Sequence, residues 1–580
     1  MAPDERLSRA LPIRLIGRRA GLIISQTVGF SASASGNSAE EPILALLAPR
    51  LQTGGLAGEP GYVPIVIVYG FFDFSLYLDA DHADLEVWYA VTAPAAHRVS
   101  RLIVLAGDKM GTLLAKNADV LVTMDGHRRE LKNAGLFARD GMIEKVGPTA
   151  ELPATADLVL DLRGHILLPG LVNCHHHLDQ LLTRNLTAGQ NTNLFPWLQA
   201  HYRIWASRTP EDTRTAALVG CAELALSGCT TVFDHAYVFQ NGCKVDDQIT
   251  AAGELGVRFA VSRGSMSLGQ SKGGLPPDDC VESEEAILKD SIRVIDTYHD
   301  PAPGSMLQIV LGPCSPFSVT ADLMRESAKM ARHYGVHLHT HLCETLDEER
   351  YTLQHKGLRP VAYMEALDWV GRDVWYAHAV HVNDAEIRLF ASKGAGICHC
   401  PSSNMRLASG IAPLTKYRDA GVRTGLGVDG SASNDGSNLL IEVREAILLA
   451  RLKMGLLPPE GPQTVLSTSD PLRAKEWLTA RNALEIATIG GASVLGRSDI
   501  GSLEPGKCAD FFTLDLNAIA YAGGLSDPLA AVVLCAPTGA RHTVVGGRLI
   551  VQDGEIATVD MAPVIREHNR NAARLAALHV

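Results

Sequence analysis

Residues 168–177 read LPGLVNCHHH: a short apolar run broken by Pro169 and Gly170, ending in three consecutive histidines. A run of this length, rich in Leu and Val and bounded by a Pro-Gly pair, reads as a buried strand. Side chains alternate on an extended chain, so His175 and His177 share one side while His176 points the other way. Two imidazoles at i and i+2 can grip one metal ion. Whether they do depends on what the rest of the chain brings to the same place.

Seven further apolar runs follow: 229–234 (CTTVFD), 257–262 (VRFAVS), 306–311 (MLQIVL), 336–342 (VHLHTHL), 374–378 (VWYAH), 395–399 (AGICH) and 424–428 (TGLGV). Helix-like text fills the gaps. The clearest case starts at Thr209, an N-cap followed by Pro210 and Asp212, and ends just before Gly228. Strands alternating with helices imply a parallel sheet, and eight such units imply a closed barrel. From Leu168 to Asp429 there are 262 residues, close to the roughly 250 of a (β/α)8 barrel. The expected fold class is therefore α/β, a TIM-like barrel over 166–489.

Active-site residues of such barrels stand at the C-terminal ends of the strands. Here those ends carry His175 and His177 (first), His341 (fifth), His378 (sixth), His399 (seventh) and Asp429 (eighth). Imidazole with carboxylate suits zinc or iron. His337 and His339 also face inward but lie deeper, and are read as hydrogen-bonded core residues. His176 and His381 are assigned to packing and loop structure, and His399 to support behind the site.

The flanks have a different texture. LLAKNADVLVTMD (113–125), GLFARDGMIEKVG (135–147), GSLEPGKCADFFTLD (501–515) and HTVVGGRLIVQDGEI (542–556) alternate, with Gly and Asp at turns. Segments 110–165 and 490–560 are expected to pair into one small β-sandwich, followed by a C-terminal helix over 561–580. Residues 1–109 lack this organisation. They are read as an unstructured extension or as text preceding a natural start at Met110. An export leader at Arg18-Arg19 is disfavoured, because the following apolar core is short and Gln26 interrupts it.

Composition narrows the function classes. The 580 residues are 46% apolar, 20% charged and 6% aromatic, which excludes a disordered, collagen-like or disulfide-scaffold protein. A net charge of −12 without a basic stripe argues against nucleic acid. No stretch reads as a membrane span. Eleven scattered cysteines point to reduced thiols in a cytoplasm.

The motifs PGLVNCHHH, HLHTHLCET, AHAVH, HCPSSNMRLASGIAP and GLGVDGSASND resemble, in order and spacing, the mononuclear metal-dependent deaminase branch of the amidohydrolase superfamily. The likeness covers about residues 112–560. It implies one divalent metal, zinc or iron, on His175, His177, His341 and Asp429. It also implies a proton-shuttling Glu344, a His378 beside the metal-activated water, and Asp429 as both ligand and base. Further segments, among them HLDQLLTR (177–184), LFPWL (194–198), YRIWA (202–206) and VFDHAYVF (232–239), are similar to the 8-oxoguanine deaminases, which convert 8-oxoguanine to urate. Gln180, Trp197, Tyr237, Arg263 and Cys343 are the expected substrate contacts: an amide for a lactam edge, two rings for the base face, a cation for a carbonyl, and a pocket-lining thiol. The sequence departs from the family pattern at Asp179, where an aromatic residue is usual, and at Arg203. The alternatives are an isocytosine, guanine or s-triazine hydrolase and, more remotely, a metal-free barrel with no activity. The expected partner is a small purine- or pyrimidine-like molecule, with a homo-oligomeric assembly.

Overall fold

The computed structural model describes residues 111–456, 477–535 and 539–578, and within the first 108 residues only four short strands. These form two ladders within the unit Met1–Asp108: Leu15–Arg19 with Leu22–Gln26, and Phe30–Ala32 with Phe74–Leu76, both antiparallel. Otherwise the expected extension, and the proposed start at Met110, lie outside the described residues.

In the unit Lys109–Val580, eight parallel strands close on themselves. They are β1 (Leu171–Asn173), β2 (Cys229–Asp234), β3 (Arg258–Ser265), β4 (Leu307–Pro313), β5 (His337–Leu342), β6 (Val374–His378), β7 (Gly396–His399) and β8 (Arg423–Leu426). Closure runs through the pair Asn173–Leu426. Asn173 reinforces it: its Oδ1 accepts from Val428 N at 3.0 Å and its Nδ2 donates to Phe233 O at 3.4 Å. Alternation sorts the side chains. Val172, Phe233, Ala260, Val310, Trp375 and Cys398 fill the barrel interior, while Leu171, Phe259, Val261, Leu338 and Ile397 face the helical layer.

The helix Pro210–Leu226 starts as its sequence dictates. Thr209 accepts from Asp212 N, the Asp212 carboxylate accepts from Thr209 N, and Pro210 fills the first turn. It ends against the flanking sheet at Gly228, whose φ is +89° and where a Cβ would sit 2.4 Å from the Phe512 ring. Only glycine meets both demands.

The flanks join as one nine-stranded sheet. The strand Phe511–Asp515 pairs antiparallel with His165–Pro169, so distant segments of the chain meet along one ladder. Leu168 and Pro169, expected in the first barrel strand, belong to this sheet, and β1 starts at Leu171. Among the described residues no helix is long and apolar enough to cross a membrane, and the eleven cysteines are free.

Candidate active site

The strand ends converge on a buried cluster of imidazoles and carboxylates. β1 ends at Asn173, so His175 and His177 stand in the chain just beyond it rather than within it. They nevertheless reach the same centre. His177 Nε2 lies 3.1 Å from His341 Nε2. His175 Nε2 and His177 Nε2 each lie 3.3 Å from Asp429 Oδ1.

Hydrogen bonds on the far side of each ring assign its tautomer. His177 Nδ1–H donates to His235 O at 2.8 Å, and His341 Nδ1–H donates to Cys314 O at 2.7 Å. His339 Nδ1–H donates to Trp375 O at 3.1 Å, leaving its Nε2 to accept from His175 Nδ1–H at 2.9 Å. All three rim histidines therefore turn an Nε2 lone pair inward, and His175 Nε2 has no protein partner. Burial keeps them neutral: it holds His177 down to about 3 and takes His175 and His341 below the usual imidazole range. Burial works against the ionised form of Asp429, but the imidazoles of His175, His378 and His177 that face it hold its carboxyl well below the usual range.

These donors fit a divalent metal. Two lone pairs facing each other at 3.1 Å repel unless a cation lies between them. Donor separations of 3.1–3.3 Å match the edge, about 3.3 Å, of a tetrahedron with zinc–nitrogen bonds of about 2.0–2.1 Å. His235 joins the cluster and was not anticipated from the sequence. Its Nε2–H donates to Gly312 O at 2.8 Å, its Nδ1 is buried without a partner, and its ring stacks on His341. The available signal was its place one residue past β2, parallel to the other strand-end residues.

His378 and Glu344 stand beside this centre. His378 Nδ1–H donates to Asn404 Oδ1 at 2.9 Å, which aims Nε2 at Glu344 Oε2 (3.6 Å) and Asp429 Oδ2 (3.8 Å). Burial opposes its imidazolium, but the charges of Glu344 and Asp429 prevail and raise it. Burial also raises Glu344, with Asp429 adding to it and His378 working against. One short segment after β7 serves all three groups. Ser403 Oγ donates to Asp429 Oδ2 at 2.6 Å, Asn404 holds His378, and Ser409 Oγ donates to Glu344 Oε1 at 3.2 Å. This accounts for the motif HCPSSNMRLASG. His381, read as structural, donates through Nε2–H to Ser409 O at 2.7 Å. Cys343, His378, Ala379 and Asp429 all have left-handed backbones, φ +46° to +71°, a conformation that collects at functional sites.

A narrow cavity opens on this cluster. Gln180, Trp197 and Tyr237 line it, as expected, together with Tyr202, Phe317 and Leu407. No Lys or Arg is among its described lining residues. Two expected contacts are elsewhere. Arg263 is buried on the helix side of β3, because odd-numbered residues of that strand face outward. Its guanidinium bonds Glu282 (2.8 Å) and Asp290 (2.6 Å) and lies over Phe239. Cys343 would face inward on a continued strand. β5 stops at Leu342, however, and the φ of +55° at Cys343 turns its thiol into the surrounding apolar core. The two departures also separate. Arg203 is exposed beside Asp279, whereas Asp179 is buried in an ion pair with Arg208, which also donates to Trp205 O and Val238 O.

A family model for the amidohydrolase family matches residues 166–550. The chain belongs to the amidohydrolase family. It is 47% identical over 446 residues to the 8-oxoguanine deaminase of Pseudomonas aeruginosa, covering 76% of this chain and 95% of that protein. It is 36% identical to the hydroxydechloroatrazine ethylaminohydrolase of Pseudomonas sp. strain ADP, covering 79% and 94%. Among solved structures it is similar to the zinc complex of atrazine chlorohydrolase from Arthrobacter aurescens TC1. That likeness has a TM-score of 0.73 and 33% identity, covering 79% of this chain and all of that one.

Proposed function

We propose that this amidohydrolase deaminates 8-oxoguanine: 8-oxoguanine plus water gives urate plus ammonia. The observation that carries the reading is the 47% identity to an 8-oxoguanine deaminase along nearly its whole length, joined to a cavity with no Lys or Arg among its described lining residues. A neutral heterocycle suits such walls, whereas a phosphate group would find no Lys or Arg to hold it. His175, His177, His341 and Asp429 would hold one divalent metal, zinc. When bound, that ion supplies Lewis-acid activation of water at neutral pH.

The remaining chemistry belongs to the side chains. Asp429, ionised and fixed by Ser403, accepts a proton as water attacks the carbon bearing the amino group. His378 orients the attacking oxygen through Nε2. Glu344, whose buried carboxyl is raised toward neutrality, gives a proton to the ring nitrogen beside the attacked carbon. As the carbon–nitrogen bond breaks, Asp429 returns the proton it took from water to the departing nitrogen, and Glu344 is reprotonated by the hydroxyl proton released as the carbonyl forms. Gln180 can bond a lactam edge with its amide, while Trp197 and Tyr237 cover the ring.

The test is a side-by-side kcat/KM panel on 8-oxoguanine, guanine, isocytosine and hydroxy-triazines, read by ammonia or amine release. A site built around a polar edge rejects analogues lacking it by roughly 10⁴–10⁵. 8-Oxoguanine is expected to lead. A triazine that outpaces it overturns the reading and favours the alkylamine-expelling chemistry named for the relative at 36% identity.

A further inference from the structure

We propose that Glu348, which touches no reacting atom, is a positioning residue for Glu344. The proposal rests on the proton-carrying role assigned to Glu344 above.

Glu348 lies in the first turn of the helix Leu346–Lys356, which is capped by Thr345. Its side chain folds back on the segment leading into that helix. Oε1 accepts from Cys343 N at 2.9 Å and Oε2 accepts from Glu344 N at 2.9 Å, and the residue is fully buried. A single carboxylate thus holds two consecutive backbone N–H groups, one of them that of Glu344 itself. The same stretch is gripped from the other side. Cys343 O accepts from Val380 N and His381 N, each at 2.9 Å, and Leu342 O accepts from Ala379 N at 3.0 Å.

The grip is needed because the local backbone is not self-sustaining. Cys343 has φ +55°, a left-handed conformation that a non-glycine residue keeps only where its surroundings over-determine it. Released, the chain after β5 would relax toward an extended or helical course and carry the Glu344 carboxyl away from His378 and the cavity. Among the described residues, no Lys or Arg forms an ion pair with Glu348. Burial pushes its carboxyl up to about 7, so the position is costly for a carboxylate. An apolar side chain would pack there more cheaply but could not accept from two N–H groups.

Glu348→Gln isolates this role. The amide keeps one acceptor and sets an NH₂ group against the second N–H. Zinc-loaded wild type, E348Q, E344Q and the double variant are compared for kcat, KM and zinc content. E348Q is expected to keep one zinc per chain and a KM within about three-fold, while kcat falls roughly 10- to 100-fold, the scale of a catalytic group misplaced by about 1 Å. In the E344Q background, the same change is expected to cost less than about two-fold, because the group it positions is already disabled. An equal loss in both backgrounds, an unchanged kcat, or loss of zinc in E348Q would overturn the proposal. Glu348→Asp keeps the charge but shortens the arm, and serves if the Gln variant does not fold. It is expected to show the same kcat loss, and wild-type turnover in it counts against the proposal. Near-normal turnover by E344Q would remove Glu344 from the mechanism and this role with it. An inactive wild type on 8-oxoguanine would fail only the substrate reading, and the cycle is then run on the heterocycle that is turned over.

Discussion

Gly430 is the residue through which the substrate contact of Gln180 can be tested without touching Gln180. Its φ of −71° and ψ of 142° are open to any residue, so Gly430→Ala adds no backbone strain. The bond from Gly430 N to Asp429 Oδ1, 2.7 Å, survives the change. The added Cβ, however, would stand 1.8 Å from Gln180 Oε1 and 2.4 Å from its Cδ. The amide must retreat by more than about 1 Å to regain a normal contact. The backbone beneath it cannot follow easily, because Leu178–Thr183 is a wholly buried turn and Asp179 is tied to Arg208. A displacement of this size at a positioned contact costs up to about 100-fold in rate. The kcat/KM for 8-oxoguanine is therefore expected to fall about 10- to 100-fold, with zinc content unchanged. Gln180→Ala and the double variant complete the cycle, which should be strongly non-additive. A kcat/KM within two-fold of wild type, or full additivity, would refute Gln180 as a substrate contact.

Three further outcomes follow from the same geometry. Chelation should abolish turnover and lower the unfolding temperature, with both restored by zinc. At a free metal concentration about 100 times its Kd, binding contributes about 2.7 kcal/mol, and identical melting curves with and without zinc would exclude a bound ion at the cluster. Asp179→Ala strands the buried Arg208 cation and should cost about 3–5 kcal/mol in denaturant unfolding. Adding Arg208→Met should recover much of that, and a loss below about 1 kcal/mol would show the pair to be dispensable. Glu442 is buried, accepting from Ser402 N and Asn434 Nδ2, and burial pushes it up to about 7 from an ordinary 4.5. A raised carboxyl favours the folded state fully below about 4.5, and loses that contribution as pH climbs through 7. The melting temperature of wild type relative to Glu442→Gln should therefore drop between pH 5 and 8, and parallel curves would contradict the shift.

The barrel was legible because its evidence is local. Each strand is a short apolar run, and the first, fifth, sixth, seventh and eighth end in His or Asp, so order and spacing suffice to place eight of them. The capping box at Thr209 and the rim residues His175, His177, His341, His378 and Asp429 follow from the same reading. Where the sequence reading failed, one residue's conformation or parity decided. Arg263 looked like a rim cation because β3 was ended too early. The strand runs to Ser265, and alternation sends the guanidinium outward. Cys343 looked inward-facing because alternation was extended past Leu342, where a left-handed residue breaks it.

What the sequence determined by itself is the set of groups and the end of the barrel where they gather, since period-two alternation and strand order are properties of the linear chain. What only the tertiary structure decided is how those groups are held. The far-side partners that assign each histidine tautomer, the Ser403, Asn404 and Ser409 bonds from one loop, the entry of His235, and the carboxylate of Glu348 under Glu344 are all contacts between or within chain turns. A hydrogen bond fixes a proton through distances of a few tenths of an ångström, and no spacing along a sequence encodes that until closure of the barrel brings the partners together.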